Sequence, residues 1–383
     1  MKVLFDHQCF SMQKFGGISR CFIEIYKHLP ESCKATIAVK ESNNIYAQEL
    51  LRVNPIGYQY DHFMFSSHFR GKMRLHKWCD KLKKHKYYPD YNKNNSIDLL
   101  KEGNFDLFHP TFFDDYFLPY LNGKPFVLTI HDMIPELYPQ YFAKNDFQII
   151  QKQKLAPLAD AIIVVSENTK RDVIRLMNIP EEKIHVVYHG CSFKTEEDIL
   201  SFTFPYILYV GDRYGYKNFV PFVKALIPTL NKHKDIRVIC TGKSFTREEQ
   251  YLLKKEKVED RFDSYFVKTD SDLFSLYHHA IAFVYPSEYE GFGIPILEAY
   301  QADCPVLLNR TSCFPEIAGE AALFFMMDSN QSNLAEQMEA LFSMSSIERD
   351  VLLYKQRERL SHYSWERSAK QLAALYQKIC ASL

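Results

Sequence analysis

The sequence predicts an α/β fold in two halves, each built on a parallel sheet, and three observations carry that expectation. Short apolar runs alternate with amphipathic segments almost from end to end, the pattern of repeated βα units. At 383 residues the chain exceeds one ordinary core and suits two domains of similar size. The rhythm lapses over CSFKTEEDILSFT, residues 191–203, and then restarts. Residues 1–195 and 196–363 are therefore the expected domains, followed by a final helix over 364–383.

Composition excludes several classes. Lys plus Arg equals Asp plus Glu at 47 each, so the chain lacks the global basic field of a dedicated nucleic-acid binder. Nine cysteines lie scattered without a C-x-x-C, which reads as reduced thiols in a cytoplasmic protein. The opening MKVLFDH has no signal-peptide apolar core, and no apolar run approaches the roughly 20 residues that span a bilayer. Any membrane contact is expected to be peripheral.

In the first half, strands are expected at Lys2–Phe5, Thr36–Val39, Phe105–His109, Pro125–Ile130, Ala161–Val165 and Ile184–Tyr188, each a short apolar run. The first leads through DHQCFSMQKFGGISR into a helix over 18–29; Gly16 and Gly17 there permit a tight turn or close approach by a ligand. No G-x-G-x-x-G is present, which counts against a dinucleotide-binding dehydrogenase. His109 and His131 end their strands, and ligands in open α/β sheets sit beyond the strands' carboxyl ends, so both histidines are expected to face a cleft. His131, followed by Asp132, is the stronger site candidate, while His109 fits a structural role better. Ser166 or Asn168 caps the helix after the fifth strand.

The pattern is hard to read between 41 and 104. There HFRGKMRLHKWCDKLKKHK sets eight cations against Asp80 alone, with Leu75, Trp78, Cys79 and Leu82 on one helical face. A basic amphipathic helix over Arg70–Lys86 would suit an anionic membrane or a phosphorylated acceptor, and an ordinary solvated excursion is the competing interpretation.

The second half repeats the rhythm, with strands expected at Tyr206–Val210, Arg237–Cys240, Ser264–Val267, a run from Ala280, Val306–Asn309 and Ala322–Phe325. The loop after the first of these carries Arg213 and Lys217, two cations suited to a diphosphate, with an ordinary exposed basic loop as the alternative. Asp270 and Asp272 form a D-x-D, but at the start of an apolar-periodic helix they are better explained as cap and dipole complement than as metal ligands. YPSEYEGFGIPILEAY, residues 285–300, reads as a strand end, a glycine loop and a helix starting near Gly293. Free N–H groups and the positive end of a helix dipole make such a turn an anion site. Glu290 and Glu298 flank it, either placed to accept hydrogen bonds from sugar or ribose hydroxyls or serving as a solvated loop residue and a complement to the helix dipole.

With FGGISR, TIHDMIPELYP, VSENTKRDV, YVGDRYGYKNF, the Glu-x7-Glu stretch and PEIAGEAALFF in view, the chain resembles the retaining family 4 glycosyltransferases, including bacterial mannosyltransferases of polysaccharide assembly. That resemblance implies the GT-B fold: two Rossmann-like domains with parallel sheets facing across a cleft, the final helix crossing back onto the first. It assigns Arg213 and Lys217 to the donor diphosphate, Glu298 to the ribose, Glu290 to the transferred sugar and His131 to the reacting centre. Backbone N–H groups of Phe292, Gly293 and Ile294 would hold phosphate or sugar oxygens, with Gly16 and Gly17 closing over the diphosphate. Many relatives carry Arg-Lys where this chain has Tyr216 and Lys217, so the second cation must come from Arg213. The donor would be a nucleotide-diphosphate sugar, used without metal or other cofactor, and the acceptor a glycan or lipid-linked molecule, met in the cytoplasm or at the inner face of the cytoplasmic membrane. An epimerase or phosphorylase of the same fold, or a catalytically silent scaffold, is the alternative.

Overall fold

A computed structural model describes residues 1–56, 69, 71–75, 78, 91–191, 193, 198–328 and 331–382. The basic helix expected over Arg70–Lys86 lies for the most part outside them.

The first sheet contains β1 (Lys2–Phe5), β2 (Lys34–Ile37), β3 (Leu107–His109), β4 (Val127–Ile130), β5 (Ala161–Val164) and β6 (Ile184–Val186). All pair in parallel, as β2-β1-β3 and β4-β5-β6, with Phe108 and Phe126 bridging the two blocks. The second sheet contains β7 (Tyr206–Tyr209), β8 (Arg237–Thr241), β9 (Phe262–Tyr265), β10 (Ala282–Tyr285), β11 (Val306–Asn309) and β12 (Leu323–Phe325). Its order is β12-β11-β10-β7-β8-β9, again parallel.

Strands β4, β5, β7, β10 and β11 are buried along their whole length, as expected of sheets covered on both faces. That is why they are legible as short, mainly apolar runs, with Thr129 of β4 and Asn309 of β11 as the polar positions. Strands β2 and β9 begin two residues earlier than the apolar pattern suggests. For β2 the reason is plain: Ala38 and Val39 are buried beyond the end of the strand, so their apolar signal marks packing and not ladder pairing.

Seven helices matter for the site: α1 (Gly17–His28), α2 (Glu167–Met177), α3 (Phe219–Lys232), α4 (Arg247–Lys255), α5 (Asp270–His278), α6 (Ile294–Gln301) and α7 (Trp365–Ala381). The last of these returns to the first sheet. Its Trp365, Leu372, Ala373 and Tyr376 share a core with Val3, Phe5 and Phe22. A Cβ on Gly190 would lie 2.3 Å from the Trp365 nitrogen, so the return depends on backbone meeting backbone there.

His109 serves the same junction. It is fully buried, with Nδ1 2.6 Å from the Tyr376 hydroxyl and Nε2 2.8 Å from the Thr129 hydroxyl. Both ring nitrogens are thus held between sheet and helix, and the expectation that it faces a cleft is corrected. Among the described residues no helix is long and apolar enough to cross a membrane.

Candidate active site

In the second sheet the strand order reverses between β7 and β10, the kind of switch point beyond which ligands sit in open α/β sheets. Lys217 comes from the first loop and Glu290 from the second. Lys217 Nζ lies 2.6 Å from Glu290 Oε1, beside the rings of Tyr216 and Tyr285. Burial draws the ammonium's pKa down, but the charge and hydrogen bond of Glu290, together with Tyr216 and Asp212, outweigh it and leave Lys217 above its ordinary value.

Backbone ties fix this pair. The Glu288 N–H donates to the Tyr216 carbonyl at 2.8 Å, and the Asn218 amide donates to the Pro286 carbonyl at 3.1 Å. Ser312 Oγ accepts from the Glu290 N–H at 3.0 Å and donates to its carbonyl at 2.9 Å. Gly293 then turns the chain into α6 at φ 92°, a conformation that favours glycine. Among the described residues the N–H groups of Phe292, Gly293 and Ile294 have no partner, and they lie at the positive end of the helix. Gly17 of the first domain stands against that turn: a Cβ on it would be 4.0 Å from Ile294 Cδ1. Gly16 lies beneath the Gln13 side chain, whose Oε1 would be 2.6 Å from an added Cβ.

Glu298 is buried one turn into α6 and accepts a 3.2 Å hydrogen bond from the Tyr277 hydroxyl. Burial pushes its carboxyl up, and Arg20 beside it draws it back. Arg20, in the first turn of α1, crosses from the other domain, with Nη1 3.5 Å from Glu298 and Nη2 3.4 Å from Asp270. Nothing local to FGGISR marks this arginine as the partner of a carboxylate in the other domain. The D-x-D splits accordingly: the cap of α5 is Thr269, Asp272 completes a capping box with it, and Asp270 faces Arg20.

Arg213 does not join Lys217. Its Nε donates to Glu249 Oε1 at 2.9 Å and its Nη1 to the Thr241 carbonyl at 3.2 Å. Its Nη2 donates to the carbonyls of Lys243 and Ser244, and the guanidinium lies 4.8 Å from the Phe245 ring. Glu249 is the capping-box residue of α4, so Arg213 fastens that helix start to the β8 loop. The resemblance expects Arg213 at the diphosphate beside Lys217; in this structure its guanidinium is engaged by Glu249 and the β8 loop.

His131 sits where the two domains meet, its ring near those of Phe22 and His189. Its Nε2 is buried without a hydrogen-bond partner among the described residues. The buried Lys152 supports this loop, donating to the Asp132 carbonyl at 3.1 Å and to Glu136 at 2.8 Å. Burial, and then the Lys152 charge, lower His131 to about 4; burial lowers His109 to about 3 and His189 as well. All three are neutral in the folded protein at pH 7.

The unfolded chain binds these protons near pH 6.5 and the folded one only at much lower pH, so stability rises with pH between about 4 and 6.5. The urea midpoint at pH 5 is accordingly expected to fall below that at pH 7. His131→Gln should flatten part of that slope, and an unchanged slope would contradict the burial of a neutral ring.

Two families match the chain: "Glycosyltransferase Family 4" over residues 15–193 and "Glycosyl transferases group 1" over 194–366. The matches abut and between them span residues 15–366. The chain is similar to O-antigen chain mannosyltransferase B of Escherichia coli, 26% identical over 279 residues, covering 69% of this chain and 72% of that protein. It is also 26% identical over 239 residues to O-antigen chain mannosyltransferase RfbU of Salmonella typhimurium, covering 61% of this chain and 64% of the relative. Among solved structures it resembles HepE of Anabaena in complex with UDP and glucose, with a TM-score of 0.67 at 15% identity, over 99% of this chain and all of that one. Two parallel-sheet domains meeting at a strand-order switch, and a family match in each half, place the chain among the family 4 glycosyltransferases of the GT-B fold.

Proposed function

We propose that this glycosyltransferase moves a sugar, mannose in the first instance, from a nucleotide-diphosphate donor to a glycan or lipid-linked acceptor of a bacterial surface polysaccharide. The observation that carries this is the Lys217–Glu290 pair set against the unpartnered N–H groups at the start of α6. The mannosyltransferase names of two relatives support the sugar, and the UDP-bound neighbour supports a nucleotide donor.

In the proposed reaction the bond between the anomeric carbon and the β-phosphate oxygen breaks, and an acceptor hydroxyl bonds to that carbon on the same face. The hydroxyl proton passes to the leaving phosphate, and configuration is retained. Negative charge grows on the phosphate, where Lys217 and the helix start stabilise it. Glu290 would hold the sugar's hydroxyls and Glu298 the ribose, which requires Arg20 to share or yield its carboxylate. His131, neutral at pH 7, would present its Nε2 as a hydrogen-bond partner to the reacting sugar. No metal is needed for this charge balance, so EDTA should leave transfer unchanged. The protein would work in the cytoplasm, with the basic stretch Arg70–Lys86 meeting the anionic inner face of the membrane.

A thermal-shift panel of GDP-mannose, UDP-glucose, UDP-galactose and UDP-N-acetylglucosamine tests the donor assignment. A ligand that binds only the folded protein raises its melting temperature by mass action. One donor is expected to do so for the wild type and much less for Glu298→Ala. No shift with any nucleotide sugar would overturn the proposal.

A further inference from the structure

The loop that carries Glu290 is also the loop that fastens the two domains together. Its neighbours on both sides reach α2 of the first domain. The Tyr289 hydroxyl donates to Asp172 Oδ2 at 2.6 Å, and both groups are buried. The Gly291 carbonyl accepts from Ser166 Oγ at 2.6 Å and from Thr169 Oγ1 at 3.3 Å. A third tie comes from the short helix Phe314–Ala318, where the Glu316 carboxylate accepts the N–H groups of Glu167 at 2.7 Å and Asn168 at 3.0 Å. These are two of the N–H groups that the first turn of a helix leaves unsatisfied, so α2 is capped from its own domain by Ser166 and from the other domain by Glu316.

We infer that Tyr289, Asp172 and Glu316 are positioning residues: they clamp the start of α2 to the second domain and, in doing so, set Glu290 in place for sugar transfer. This rests on the proposed role of Glu290 at the transferred sugar. Domain separation breaks the bonds on either side of Glu290 at once and leaves its loop held from the second domain alone, through Ser312 and the Lys217 pair. The two charge-assisted bonds at Glu316 supply a tie that leaves the loop's own conformation untouched. Closure and the order of the site are thereby coupled without any clamp residue touching substrate.

The test compares Tyr289→Phe, Glu316→Ala and their double variant with wild type in three measurements: small-angle scattering of the free protein, melting temperature, and GDP release from GDP-mannose, with UDP release from UDP-glucose run in parallel. The double variant is expected to show a larger radius of gyration. Its kcat should fall about tenfold or more, with a smaller change in donor KM, because misplacing a reacting group costs rate more than binding. An unchanged scattering curve, a kcat within twofold of wild type, or a lower melting temperature with scattering and kcat intact would each overturn the inference. Glu290→Gln separates the two claims. Wild-type turnover there would defeat the reading of Glu290, whereas the scattering of the clamp variants needs no ligand and judges the clamp alone.

Discussion

Lys217→Ala is expected to lower sugar transfer about 10²–10³-fold, the cost typical of removing one preorganised group from a developing negative charge. Lys217 is the cation that the second domain brings to the start of α6 on a fixed loop, since Arg213 is committed to Glu249 and three backbone carbonyls. Its removal also leaves Glu290 without the cation that sits 2.6 Å from it. Breaking a buried pair on one side costs about 3–5 kcal/mol of stability, and the lower end applies here because both side chains keep some solvent contact. Activity and stability must therefore be separated.

Lys217→Met with Glu290→Gln does this, because removing both charges takes away the uncompensated one. The double variant should recover most of the melting temperature lost in Lys217→Met and none of the turnover. Recovery of turnover as well would reduce Lys217 to a structural counter-ion and would remove the proposed diphosphate contact.

What the sequence revealed follows from what its signals measure. Fully buried strands such as Ala161–Val164 and Ala282–Tyr285 are legible because burial on both faces favours apolar residues at every position. The glycine loop and Glu-x7-Glu stretch are legible because a helix start, its Pro and its Gly lie within ten residues of one another. Contacts made across the fold are not. Arg20 and Glu298 meet although 278 positions separate them, and nothing local to FGGISR announces a carboxylate in the other domain. Arg213 reads as a phosphate ligand from its loop position and from the resemblance, whereas its partner Glu249 belongs to a helix already accounted for by its Thr246 cap. Tyr289 and Glu316 passed unremarked for the same reason: each faces α2, a helix the sequence connects to neither of them.

Gly291→Ala should abolish most activity through geometry alone. A Cβ at this position would lie 1.9 Å from the His131 carbonyl oxygen, 3.0 Å from its carbon and 3.2 Å from Asp132 Cβ. The obstacle is backbone at the end of β4, supported from below by the Lys152 bond to the Asp132 carbonyl, so it cannot rotate aside as a side chain would. The Glu290 loop must then withdraw from the first domain by about 1 Å or more, and displacements of that size cost on the order of 10²-fold in rate. Withdrawal also breaks the Ser166 and Tyr289 bonds that hold the cleft shut. Withdrawal of the loop leaves the strands of both sheets paired, so circular dichroism should match wild type while the radius of gyration rises and turnover falls about 100-fold. Because Gly291 carries no chemistry, that pattern would isolate the approach of the two backbones as the requirement. Turnover within threefold of wild type would mean that the loop can work without touching His131, and the reacting centre would then have to be sought on the second domain alone.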